Sequence, residues 1–92
     1  MIASISHKGL RQFLTKGSTS GINPRHAEKI LEVVIELAFV RNPKNYSREL
    51  RFHRRVQCGS EYWCVRIDGS WRLVFRRDAS GNIHDLDYCQ YH

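Results

Sequence analysis

The run Tyr62-Trp63-Cys64-Val65-Arg66-Ile67-Asp68-Gly69-Ser70-Trp71-Arg72-Leu73-Val74-Phe75-Arg76-Arg77 alternates apolar and polar residues on both sides of Asp68-Gly69. A period of two is what a half-buried pleated strand imposes, and Asp-Gly between two such runs is a strong turn signal. The run predicts a β-hairpin. With Trp63, Val65, Ile67, Trp71, Leu73 and Phe75 facing a core, the pleat sends Cys64, Arg66, Arg72, Val74 and Arg76 to the opposite face. Arginines on neighbouring positions of one face repel and add nothing to packing. An anionic ligand accounts for them.

The remaining segments predict what surrounds the hairpin. Ile2 to Ser6 alternates as a short strand, and Leu10, Phe13 and Leu14 then recur at helical spacing in a helix that ends at Gly17. Asn23-Pro24 reads as an N-cap followed by proline at the first helical position. The second helix runs to about Val40 with Ala27, Ile30, Leu31, Val34, Leu37 and Ala38 as its apolar stripe. Asn42-Pro43 and Lys44-Asn45 open a connection that continues through Ser47. A strand follows over Leu50 to Arg54, with Leu50 and Phe52 inward and Arg51, His53 and Arg55 outward. Val56 to Glu61 reads as a loop into the hairpin, and Asp78 to Asn82 as a turn into a last strand. There, Leu86 and Tyr88 point inward and Asp85, Asp87, Cys89 and Tyr91 outward.

This order predicts an α+β fold in one domain over residues 1–92: two N-terminal helices packed on one face of a mainly antiparallel sheet of four to five strands. A chain of 92 residues buries enough surface for one two-layered core. Its 15 Lys and Arg against 9 Asp and Glu give a formal charge of +6, which favours a polyanion such as nucleic acid as partner. The plain alternative is a basic surface that serves only solubility. Cys58, Cys64 and Cys89 leave one thiol unpaired in any disulfide scheme and form no C-x-x-C pair, and residues 1–14 lack a signal-peptide core. A reducing cytoplasm fits, with no metal site, and no apolar run is long enough for a membrane span.

Parity gathers His53, Arg66, Arg72 and Tyr91 on one face, with His92 one residue beyond. These are the groups that metal-free RNA cleavage requires. The 2′-hydroxyl can attack the adjacent phosphate if one group removes its proton, another protonates the leaving 5′-oxygen and cations stabilise the charge on phosphorus. Histidine suits either proton transfer, and arginine matches phosphate oxygens while staying charged. Tyrosine can stack on a base or join a proton relay. Taken singly each has a plainer reading: His53 as a surface histidine, Arg72 in a cross-strand pair with Asp85 or Asp87, and Tyr91 and His92 as a frayed end.

Four stretches carry a family resemblance: M-I-x-S-x-x-H-K-G-L from Met1, K-G-x-T-S-G at Lys16 to Gly21, Y-W-x-V-R-I-D-G-x-W-R-L at Tyr62 to Leu73, and D-Y-x-x-Y-H at Asp87 to His92. Together they resemble HigB-type toxins, the plasmid-maintenance killer proteins of the RelE/ParE superfamily. The resemblance implies a RelE-like α+β toxin of a type II pair that enters the ribosomal A site and cuts messenger RNA without metal or cofactor. It implies a HigA-type helix-turn-helix antitoxin as partner, with operator DNA bound only through the toxin–antitoxin complex. By position, His53, Arg72, Tyr91 and His92 are the implied catalytic residues. Arg66 is the implied phosphate-contacting neighbour, Arg76 joins it as an RNA-binding candidate from the alternating face, and Lys8, Arg11 and Lys16 are the implied ribosome contacts. Two positions depart from the pattern. Arg54-Arg55-Val56-Gln57 stands where the family carries an L-K-G segment, so Arg54 or Arg55 would supply the cation. Gln90 replaces an aspartate before the final Tyr-His, and it can hydrogen-bond but cannot take a proton. Two other readings compete: a ParE-like toxin acting on DNA gyrase without nuclease chemistry, and an impaired relative that only binds antitoxin.

Overall fold

Local capping sets where the first helix begins and ends. In the computed structural model, which describes residues 1–57 and 60–90, helix α1 spans Lys8–Lys16. The His7 Nδ1 accepts the Leu10 amide at 2.9 Å, satisfying a donor that the helix start leaves unpaired. Gly17, at φ 75°, closes the other end by donating its amide to the Phe13 carbonyl. Asn23 likewise accepts the Arg25 amide, but Pro24–His26 forms a 3-10 turn before α2 takes over at Ala27–Phe39.

Helix α2 buries Ile30, Val33 and Leu37. The expected stripe is therefore corrected at three positions: Ala38 and Leu31 are exposed, and Val33 lies inside. This helix is apolar on more than one face, so spacing alone leaves its rotation undecided. A second stripe at Leu31, Ile35 and Phe39 is left 42%, 56% and 81% exposed.

Two short 3-10 turns, Pro43–Asn45 and Arg48–Leu50, fill the connection to the sheet, and the Ser47 amide donates to Glu36 of α2 at 2.7 Å. Arg51 follows in the left-handed region at φ 55°, which breaks the extended alternation expected there, and β1 begins at His53 rather than Leu50. The strands are β1 His53–Gln57, β2 Ser60–Asp68, β3 Trp71–Arg77 and β4 Ile83–Gln90, paired antiparallel in the order β1-β2-β3-β4. The segment read as a loop over Val56 to Glu61 is mostly ladder instead: Val56 pairs with Glu61 and Gln57 with Ser60.

A shift in register between Arg66 and Asp68 absorbs one extra β2 residue, so Asp68 pairs with Trp71 and the turn falls on Gly69-Ser70, one residue later than expected. A similar irregularity in β4 puts Asp85 at φ 54° and lets Ile83 and Leu86, three positions apart, both reach the interior. Ile2 and Ile5 make isolated parallel bridges to Ile83 and Leu86 in place of a full first strand. Leu10 and Phe13 of α1, Ile30, Val33 and Leu37 of α2, and Val65, Leu73, Phe75 and Leu86 of the sheet belong to one buried cluster.

At one end of this cluster a polar group is enclosed. His26 is 3% exposed; its Nδ1 shares a 2.5 Å hydrogen bond with the Tyr88 hydroxyl, and its Nε2 lies 3.3 Å from Asp68. Burial pushes the Tyr88 phenol above its ordinary pKa. The Trp71 ring stacks on Tyr88 with centroids 4.6 Å apart. The start of α2, the β2–β3 turn and the end of β4 are thereby tied together. At the β3–β4 turn, Asp78 accepts the Ser80 and Asn82 amides at 3.0 and 2.9 Å and contacts His84 Nε2 at 2.9 Å.

Three outcomes follow from this packing. A Cβ at Gly9 would collide with the Gly21 backbone, so Gly9→Ala lowers stability by about 1–3 kcal/mol in urea denaturation. Tyr88→Phe leaves the His26 ring nitrogen buried without its partner and lowers stability by about 1–3 kcal/mol, measured the same way. The hydrogen bond from His84, then the turn amides, hold the Asp78 carboxyl well below the usual carboxylate range. Its contribution is present above the unfolded value of about 3.9 and is lost as pH falls toward the folded one, so the melting temperature declines more steeply below about pH 4 than in Asp78→Asn.

Candidate active site

The face of the sheet opposite the core is organised by register. Arg66 pairs directly with Arg72 across β2 and β3, and Arg72 with Cys89 across β3 and β4. One row along, His53 pairs with Cys64, Cys64 with Val74, and Val74 with Asp87. Residues directly opposite in an antiparallel pair point to the same side, so His53, Arg66 and Arg72 share one face. His53 is separated from Arg72 by two strand spacings, about 10 Å, and one same-face row, about 7 Å.

Arg72 is half-buried, and its Nη1 donates to the carbonyls of Gly69 at 2.7 Å and Trp71 at 3.0 Å. The cross-strand pair with Asp85 or Asp87 is absent among the described residues: Asp85 is taken by Arg76, and Asp87 accepts the Tyr88 amide at 2.9 Å. Nε and Nη2 of Arg72 thus keep their donors without a partner among the described residues. The carbonyls hold the guanidinium in place without neutralising it. Arg66 is exposed beside it, with no carboxylate against it among the described residues.

The other cations differ from these two. Arg76 donates from Nε to Asp85 at 2.9 Å, so its charge is already compensated. Arg55 pairs with Tyr62 on the same face as Arg66, whereas Arg54 pairs with Trp63 on the opposite side, its Nε 3.6 Å from Glu61. Val56 is 71% exposed at the edge of the sheet. Lys8, Arg11 and Lys16 are exposed on α1, remote in sequence from the arginine face, and Arg11 donates to the Ile5 carbonyl at 2.9 Å. Tyr91 and His92 lie outside the described residues; the last described residue, Gln90, pairs with Trp71 beside Arg72.

Beneath the arginines the sheet is less polar than alternation implies. Cys64 is buried on this face, and burial, followed by the Asp87 carboxylate, pushes the Cys89 thiol above its ordinary pKa against the opposing pull of Arg72. A weakly solvated floor strengthens the field of the cations above it. Among the described residues, no group of three or more His, Cys, Asp or Glu side chains is arranged to hold a metal ion, and no helix is long and apolar enough to cross a membrane.

Lys44 and Arg48, in the connection before β1, escape a strand-based reading, and Arg51, expected outward beside His53 in a strand, instead ends the 3-10 turn before it. All three line an open concavity with Tyr46, Phe52, His53 and Trp63. The available signal is the interleaving of basic and aromatic residues from Lys44 to Arg55, which alternation within strands does not register.

The chain matches no protein-family model. Over 93 aligned residues it is 27% identical to the endoribonuclease HigB of Proteus vulgaris, and the match covers 100% of both chains. The resemblance to HigB-type toxins of the RelE superfamily therefore extends across the whole sequence.

Proposed function

We propose that the chain is the toxin of a type II toxin–antitoxin pair, a ribosome-dependent endoribonuclease that cuts messenger RNA in the A site. The observation that carries this reading is the Arg66–Arg72 pair, two like charges opposed on the face that also bears His53. In a chain similar over its full length to an endoribonuclease, a phosphodiester is the anion that such a pair suits. The helices are taken to cover the opposite face, as in the RelE-like fold.

In the proposed reaction the 2′-hydroxyl attacks its adjacent phosphorus. One of His53 and His92 takes the hydroxyl proton and the other delivers a proton to the leaving 5′-oxygen, so a cyclic phosphate and a free 5′-hydroxyl result. Arg72, held by the Gly69 and Trp71 carbonyls, neutralises the equatorial oxygens as charge builds on them, and Arg66 adds a second donor set. Tyr91 stacks on or orients the base. Arg55 is the cation available on this face in place of the family's lysine, and Gln90 orients a neighbour by hydrogen bonding alone.

A HigA-type antitoxin is the proposed partner, with operator DNA reached through that complex. The exposed stripe Leu31, Ile35 and Phe39 supports a protein contact somewhere on α2, since contiguous apolar surface of this kind is characteristic of interfaces.

Mapping RNA ends on translating ribosomes tests the reading. Codon-associated cuts are expected from the wild-type protein, with Arg72→Ala slowing them about 100- to 1000-fold. His92→Gln, or deletion of Tyr91 and His92, is expected to abolish cutting and growth inhibition while circular dichroism stays unchanged. Intact messages with DNA damage would instead indicate gyrase as target, and an inert protein that retains antitoxin binding would indicate an impaired relative.

A further inference from the structure

We infer that the concavity between the connection and the edge of the sheet is a subsite for one unpaired ribonucleotide flanking the scissile phosphate, an assignment that rests on the nuclease reading. The hollow has a volume of about 330 Å³ and opens beside β1. Its inner surface is aromatic. Tyr46 is buried with its ring centroid 4.5 Å from that of Phe52 and 5.8 Å from that of Trp63, while Phe52 and Trp63 are half-buried and keep part of their rings accessible. Burial also pushes the Tyr46 phenol above its ordinary pKa, so the floor is uncharged at neutral pH.

The rim is cationic. Lys44, Arg48 and Arg51 line it, all three exposed, and among the described residues no carboxylate lines it with them. Among the described residues none of the three is held in an ion pair, unlike Arg54 with Glu61 and Arg76 with Asp85. Arg51 is moreover kept in the left-handed region at φ 55°, which side chains other than glycine usually avoid. An aromatic floor under a ring of unpaired cations matches a base stacked on its face with its phosphate at the rim. A phosphate alone would need only the rim, and the aromatic floor adds the surface on which a base stacks.

His53 ties this hollow to the arginine face. It belongs to the row His53–Cys64–Val74 on that face and also lines the hollow. Trp63 points to the other face of the sheet, so the hollow lies around the β1 edge from the arginines, and a strand crossing Arg66 and Arg72 toward β1 reaches it by passing His53 and turning over that edge. The hollow would accept a base of a single strand and reject one held in a duplex, because stacking on the floor requires the base to be unpaired.

The test uses the full chain with labelled tryptophan indoles and a single-stranded RNA hexamer bearing 2′-O-methyl groups, which block the attacking hydroxyl. Binding is expected to shift the Trp63 indole resonance. The double variant Lys44→Glu, Arg48→Glu, at exposed positions outside the core, is expected to bind about ten-fold or more weakly and to lose that shift. A duplex of the same sequence is expected to leave Trp63 unmoved. The proposal is overturned if Trp63 stays silent at saturation, if the duplex shifts it equally, or if the double variant binds as tightly as wild type. The two readings separate cleanly: a protein that fails to cut RNA on ribosomes but still shifts Trp63 with the hexamer refutes the nuclease and keeps the subsite. A double variant that cuts the same codons at the wild-type rate refutes the subsite alone.

Discussion

Val65 and Leu73 are fully buried and directly opposite on β2 and β3, and their burial locks the register that brings Arg66 against Arg72. Slipping either strand by one residue would drive a guanidinium into the core and lift an aliphatic side chain into water. Hydrophobic packing on one side of the sheet thus holds two like charges together on the other. The repulsion between them is small beside the burial that enforces it, and a bound anion would reverse its sign. No feature of the arginine face has to stabilise its own geometry.

Net charge says little about which cations remain available. Arg76 and Arg54 spend their charge on Asp85 and Glu61, whereas Arg72 is anchored by backbone carbonyls that restrain it without cancelling it. Carbonyl anchoring leaves a fixed, fully charged fork, the arrangement that favours charge developing on a phosphate. Behind it, the Trp71 and Tyr88 rings and the His26–Tyr88 hydrogen bond brace the end of the β2–β3 turn. The anchors of Arg72 are the carbonyls of this turn and of Trp71, so rigidity there is transmitted directly to the guanidinium.

The hairpin, the α+β class and the sharing of a face by His53, Arg66 and Arg72 are legible in the sequence because alternation has a period of two and pleating obeys it over short distances. Legibility ended where the backbone breaks its period. The bulge before Asp68 moved the turn to Gly69-Ser70, and the left-handed Arg51 delayed β1 to His53. Arg54, adjacent to two residues of the arginine face, points to the other side for the same geometric reason that makes the face readable at all.

By itself the sequence determined the strand pattern, the basic surplus and the identity of the groups able to serve RNA cleavage, since these depend on residue type and local spacing. Only the tertiary structure decided which arginines are neutralised, which stripe of α2 is buried and that Lys44, Arg48 and Arg51 surround an aromatic hollow beside His53. Those outcomes depend on contacts between segments far apart in the chain, where packing selects among several locally acceptable arrangements.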